Sequence, residues 1–451
     1  MSRTWLNVTT TSNWQGEYVG IPRVELELKK LEGVNFFKVS EKGFQEHFSD
    51  KTESTICDVN TNHQKNKKQL NFSNPASQFI ERNYFTFSKR ENLLRSIGYF
   101  LTYLKHLNIL RFRTIDRLLN SNWPRISKFR NSEYREYKKS KNETTSNTGK
   151  SPNKLLHPFK DGDVIITGGL DWDWGIQDNL HEIRKSTNIR IVTIVHDLIP
   201  IDHPYFMLNE RHQDHLLKHF VLSIKNSELI ITSNNFTGKR LENIAKQLGL
   251  KAPSWQKVSW ASFITMEMKN KAKSEARKIT YPYMLAVGTI EIRKNYSLLL
   301  QISKLAEEQN LEIPRIVFVG RQGWGTSDLL NHYKSLPNGP YKPIWLEFVN
   351  NEELMNLYAH AELFLSPSFQ EGFGLPVVEA ASFKKPMIIS DIPVYQELFP
   401  FAHFASPHSP EAWLEKIELL KSENFTGVTS IYDQYTWNDV LNDLTQKLDS
   451  L

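Results

Sequence analysis

The sequence predicts an α/β protein made of two doubly wound units in tandem, each a mostly parallel sheet covered by helices. Two observations carry this reading. Short apolar runs alternate with helical patterns, first from "DGDVIITGG" onward and again from "YMLAVGTIEIRKN", as βαβ units require. A lysine-rich connector, "MEMKNKAKSEARK", separates the two series, so each series has strands and helices of its own.

Taken in order, the chain opens with a strand at Trp5 to Thr10 and a polar loop holding Gly16 and Gly20. A helix then starts at Ile21, with Val24, Leu26, Leu28 and Leu31 spaced among charges. A strand at Asn35 to Val39 follows, after which the pattern dissolves into a polar stretch, Glu41 to Phe87, rich in Asn, Lys and Ser. That stretch begins an insertion covering about residues 40–160. Strands are then expected at Val164 to Thr167, Ile191 to Val195, Leu229 to Thr232 and Lys257 to Trp260. The second series places them at Tyr283 to Val287, Ile316 to Val319, Trp345 to Val349, Leu363 to Leu365 and Met387 to Ile389. Thr436 and Asp439 form a capping pair for a last helix whose Val440, Leu441, Leu444, Leu448 and Leu451 share one face. The expected domains are 1–270, 271–430 and a terminal helix at 431–451 that packs back on the first.

Composition narrows the class. The chain has 451 residues, 39% of them apolar, and a mean hydropathy of −0.47. Its apolar runs reach about five residues, against the ~20 that a spanning helix needs. The N-terminus "MSRTWLNVTT" lacks a signal-peptide core, and the single cysteine, Cys57, forms no intramolecular disulfide. A cytoplasmic protein is expected. The net charge of +6 is concentrated: Lys89 to Lys141 holds fourteen Lys and Arg against four Asp and Glu. No nucleic-acid motif accompanies this basic run. Within it, residues 89–119 mix Leu, Ile, Phe and Tyr with arginines at near-helical spacing. They read either as a basic amphipathic helix on the inner face of the cell membrane or as a solvated helix packed on the first domain.

The chemistry concentrates in "SPSFQEGFGLPVVEA", Ser366 to Ala380. Ligands in open α/β sheets collect beyond the carboxyl ends of strands, and this stretch follows the strand in "AELFLSPS". Glycines let backbone approach a ligand, Pro376 suits a first helical turn, and the free N–H groups there attract a phosphate or sugar oxygen. Glu371 and Glu379 flank that end of the helix as hydrogen-bond acceptors for hydroxyl groups.

"EGFGLPVVEA" followed by "KKPMIISDIPVYQEL" resembles the donor-binding signature of family 4 retaining glycosyltransferases, two-domain enzymes of the GT-B type that use nucleotide sugars. "TSNWQGEYVGIPRVELEL", "VTIVHDLIP", "ITSNNFT", "VGTIEIRKN" and "VFVGRQGWG" fall in the family's order. The likeness is greatest to bacterial enzymes of surface-polysaccharide synthesis, many of which transfer mannose or a similar hexose.

This resemblance implies two Rossmann-like domains facing across a cleft, and it implies roles. Glu371 lies beside the transferred sugar, and Glu379 accepts from the nucleotide ribose. The amides of Phe373, Gly374 and Leu375 face the sugar. Arg293 and Lys294 match the family's phosphate-binding basic pair, His196 contacts sugar or acceptor, and Gly20 and Gly288 border the phosphates. Gly288–Thr289 stands where the family has Gly-Arg, which leaves that phosphate contact absent or supplied by Arg321. "VSWASF" replaces the family's turn between domains. The implied partners are a nucleotide sugar and a saccharide or lipid-linked acceptor, with no cofactor and no metal.

Two alternatives remain open at this point. Asp171 and Asp173 in "GGLDWDWG" have the spacing that metal-dependent glycosyltransferases of another fold use to hold a divalent cation on a diphosphate. A non-catalytic assembly protein on the same fold is the other.

Overall fold

The computed structural model describes residues 2–14, 20–40, 43–47, 156–207 and 210–451, all within one unit formed by Met1–Ser49 and Leu155–Leu451. Cys57, the basic stretch at 89–119 and most of the expected insertion lie outside the described residues.

Among the described residues, thirteen strands form two sheets. The first contains β1 (Thr4–Asn7), β2 (Val34–Ser40), β3 (Gly43–His47), β4 (Val164–Thr167), β5 (Arg190–Val195), β6 (Leu229–Thr232) and β7 (Trp255–Lys257). The second contains β8 (Tyr283–Val287), β9 (Arg315–Val319), β10 (Ile344–Leu346), β11 (Leu363–Ser366), β12 (Met387–Ser390) and β13 (His403–Ala405). Their orders are β3-β2-β1-β4-β5-β6-β7 and β10-β9-β8-β11-β12-β13. Every pairing is parallel except β2 with β3. In both sheets the order reverses beside the first strand, between β1 and β4 and between β8 and β11, and doubly wound folds bind ligands at such a crevice.

The strands read as continuous apolar runs because parallel sheets are covered on both faces. Val164 and Ile166 of β4 enter one core layer, while Ile165 enters the layer of Trp5 and Ile191. In the second sheet Met284 and Ala286 pack with the helix Tyr296–Glu308, and Leu285 faces the opposite side.

Several expected boundaries shift for local reasons. The first strand stops at Asn7 rather than Thr10, because the Asn7 side-chain oxygen accepts from the Thr9 backbone N–H (3.1 Å) and hydroxyl (2.5 Å) and turns the chain into the short helix Thr9–Asn13. The strand expected at Lys257 to Trp260 ends at Lys257; Trp260 instead stacks on Trp437 at 5.9 Å. The strand expected at Trp345 to Val349 is Ile344–Leu346. Strand β3 lies inside the stretch read as insertion, and its sequence "GFQEH" carries too few apolar residues to signal a strand. The helix Trp437–Asp449 begins with the expected capping box, the Thr436 hydroxyl and Asp439 carboxylate each bonding the other's backbone N–H.

Candidate active site

The fifteen-residue stretch lies at the carboxyl end of β11 and runs into the helix Leu375–Ser382. Gly374 begins that helix at φ 100°, a left-handed conformation in which an added Cβ would lie 2.8 Å from Tyr395 Cε1. Glycine is therefore required at this turn. Pro376 occupies the first turn, where its missing N–H costs nothing. Among the described residues, the N–H groups of Phe373, Gly374 and Leu375 make no hydrogen bond.

Glu371 is buried in a basic cluster. Its Oε2 accepts from Arg293 at 2.8 Å, and its Oε1 accepts from Lys294 at 2.5 Å and from the Ser368 hydroxyl at 2.7 Å. Arg293 also donates to Glu291 at 2.6 Å and to the Gln370 carbonyl at 2.8 Å. Burial by itself would raise the Glu371 carboxyl, but Arg293 and Lys294 outweigh it and hold the pKa at about 2. Likewise burial would lower Arg293, and the carboxylates of Glu371, Glu291 and Asp197 raise it instead.

The basic pair reaches Glu371 through a short 3-10 turn, Ile292–Lys294, at the carboxyl end of β8. Asn295 then takes φ 55° and ties the turn to the Pro367 and Pro407 carbonyls at 3.1 and 2.8 Å. The Phe369 N–H donates to the Arg293 carbonyl at 2.9 Å. Loops after β8 and β11 are thus laced together, so Lys294 and Gly374 belong to one site. Gly288 at φ 148° precedes that turn, and its carbonyl accepts from the Tyr296 hydroxyl at 3.0 Å.

Glu379 sits in a different setting. Its Oε2 accepts from the Tyr358 hydroxyl at 2.8 Å, and burial raises its pKa against the opposing pull of Arg23. Arg23 belongs to the helix that starts after Gly20, which turns at φ 57°. Its guanidinium also lies 4.4 Å from the Phe263 ring centre.

From the first sheet, His196 follows β5. Its Nε2 lies 2.7 Å from the Gly168 carbonyl, and burial lowers its pKa. The same chain segment abuts the glycine loop: a Cβ on Gly372 would come within 2.7 Å of the His196 carbonyl. A cavity of about 290 Å³ opens beside them, lined by Trp172, His196, Asp197, Glu291, Arg293 and Trp324 among others.

Asp171 and Asp173 diverge. Asp171 is buried and accepts from Asn7 Nδ2 at 2.7 Å, whereas Asp173 is exposed. Burial and the nearby Glu25 carboxylate push Asp171 up to about 7. Arg321 lies 5.5 Å from the Phe348 ring centre.

Sequence reasoning did not single out Glu291, Asp197, Ser233, Asn234, Ser368 or Tyr358 as site residues. Asp197 had a signal, since it follows His196 directly, and Asn234 stands within "ITSNNFT". Ser233, Glu291 and Ser368 likewise stand within quoted motifs, whereas Tyr358 becomes visible only when its helix packs against Glu379.

Residues 267–431 match the family described as Glycosyl transferases group 1. The serotype-specific mannosyltransferase WbdA of Escherichia coli is 34% identical over 163 residues, 33% of this chain and 19% of that protein. The O-antigen chain mannosyltransferase B of Escherichia coli is 27% identical over 256 residues, 53% of this chain and 62% of that one. The chain thus spans about a fifth of the length of WbdA and under two thirds of mannosyltransferase B. Among solved structures, the OtsA apo structure superposes with a TM-score of 0.51 at 13% identity, covering 65% of this chain and 74% of that one. At that identity the likeness concerns fold, and it agrees with two parallel-sheet domains of the GT-B plan. Residues 267–431 thus form a domain similar to the glycosyl transferases of group 1, and the two-sheet architecture agrees with a glycosyltransferase of the GT-B plan.

Proposed function

We propose that this chain transfers a hexose, mannose or similar, from a nucleotide diphosphate sugar to a saccharide or lipid-linked saccharide during surface-polysaccharide synthesis, with retention at the anomeric carbon. The observation that carries the reading is the Arg293–Lys294–Glu371 cluster laced to a glycine-capped helix N-terminus. Breaking a sugar–phosphate bond builds negative charge on the leaving diphosphate. Arg293 and Lys294 are matched here by the carboxylates of Glu371 and Glu291, so the cluster alone is about neutral. The unpaired amides at Phe373 to Leu375 supply the remaining donors, and each preorganised donor contributes ~3 kcal/mol at such a site. Glu371, held ionised, is placed to accept hydroxyl hydrogen bonds and to face a cationic sugar ring. Glu379, with Tyr358, fits a ribose diol. In this reading fixed cations and amides do the work a divalent ion does elsewhere, so EDTA leaves the rate unchanged.

The test is a thermal-shift panel of GDP, UDP, dTDP and ADP followed by a transfer assay with the stabilising nucleotide's sugar. One diphosphate at 100 times its Kd should stabilise by ~2.7 kcal/mol. A chain that none of the four stabilises has no donor site of this kind.

A further inference from the structure

The Gly372 carbonyl is held from the other half of the molecule. Asn234 Nδ2 donates to it at 2.6 Å and the Ser233 hydroxyl at 3.2 Å, and both residues sit at the carboxyl end of β6 in the first sheet. Asn234 is fully buried, and its own orientation is fixed. Its Oδ1 accepts from the Thr237 N–H at 2.7 Å, capping the helix Asn235–Gln247, and its carbonyl accepts from the Thr232 hydroxyl at 2.9 Å. With the oxygen committed to the cap, the amide nitrogen is the atom left to face Gly372, and the network assigns it so.

A trans peptide points its C=O and the following N–H in opposite directions. Anchoring the Gly372 carbonyl to Asn234 therefore aims the Phe373 N–H away from the first sheet. That N–H makes no hydrogen bond among the described residues. The peptide joins Gly372, which has no side chain to restrict it, to Phe373, whose ring is buried in the core. We propose that Asn234, backed by Ser233, is a positioning residue that sets the Phe373 amide toward the donor, and that it does so only when the two halves are together. The inference rests on the donor-site reading above. Glu397 reinforces the same seam, accepting from the Asn235 and Phe236 N–H groups at 2.8 and 3.0 Å and from Lys257 at 3.0 Å. Closure of the halves then completes the donor site, which links assembly of the site to exclusion of water.

The test uses Asn234→Asp, which keeps the helix cap but sets a carboxylate oxygen against the Gly372 carbonyl, with Asn234→Ser and Ser233→Ala as milder variants. Release of nucleoside diphosphate from GDP-mannose or UDP-glucose gives kcat and KM, and thermal shift with GDP or UDP gives nucleotide affinity. Asn234→Asp should lower kcat about 10- to 100-fold while nucleotide affinity stays within about threefold, because the amide serves the reacting group and not the base. If that variant does not fold, Asn234→Ser and Ser233→Ala are expected to show the same split at smaller amplitude. Unchanged kcat in the folded variants overturns the proposal and leaves the donor site standing, as does a loss of nucleotide affinity in step with kcat. Failure of the unmutated chain to bind any nucleoside diphosphate overturns the donor-site reading itself.

Discussion

Glu371 and Glu379 lie on the same loop and helix, yet their surroundings drive them apart. Glu371 is ionised by two cations, whereas Glu379 is raised by burial and tied to a tyrosine hydroxyl. Glu371→Gln should cut transfer at least ~100-fold. Because the change strips carboxylate partners from buried Arg293 and Lys294, it should also cost on the order of 3 kcal/mol of stability, moderated by Glu291. Glu379→Ala should chiefly weaken nucleotide binding, read as a smaller thermal shift. The depressed pKa of Glu371 means its stabilising contribution is present above pH 4.5 and is lost as pH falls toward 2.

Asp171 behaves in the opposite sense. Its folded pKa of about 7 lies above the ordinary 3.8, so the folded chain holds a proton that the unfolded chain has released between those values. Stability contributed there is present below about pH 4 and lost as pH rises to 7. Asp171→Asn should remove that slope and raise stability at pH 8 by on the order of 2–4 kcal/mol, while changing little at pH 4. A pH series of denaturant melts checks it; parallel curves for the two proteins would contradict it.

At the scale of elements, the Leu375–Ser382 helix depends on one glycine. Gly374→Ala combines a left-handed φ with a contact at 2.8 Å to Tyr395, so it should cost about 1–3 kcal/mol and misplace the amides with it. Both the melting temperature and the diphosphate-induced shift should fall. This much was legible in the sequence, because a Gly-Phe-Gly-Leu-Pro run specifies its own backbone. The helix that follows Asn234 was equally legible as a helix. Its N-cap's second role was not, because the Gly372 carbonyl it holds lies 138 residues away. The strand β3 and the end of β1 at Asn7 escaped for more local reasons: pairing with β2 made a strand of a polar run, and the Asn7–Thr9 hydrogen bond ended an apolar one.

For the whole molecule, the terminal helix is tied by aromatic packing. Trp437 stacks on Phe263 at 5.0 Å and on Trp260 at 5.9 Å, and the Tyr435 hydroxyl donates to the Ser259 carbonyl at 3.2 Å. Trp437→Ala should cost roughly 3–5 kcal/mol. The shift induced by a nucleoside diphosphate should persist, since the donor cluster stands on other elements; its disappearance would tie the terminal helix to the site directly.

Periodicity and short motifs act over a few residues. The sequence by itself therefore determined two α/β series and the glycine-capped helix, and it offered Glu371, Arg293, Lys294 and Glu379 as candidates. Ionisation and orientation depend on what is nearby in space. Only the tertiary structure decided that Glu371 is paired while Glu379 is raised, that Asp171 and Asp173 diverge, and that Asn234 of one sheet holds a carbonyl of the other. Burial and through-space charge belong to the packed chain, and no local stretch encodes them alone.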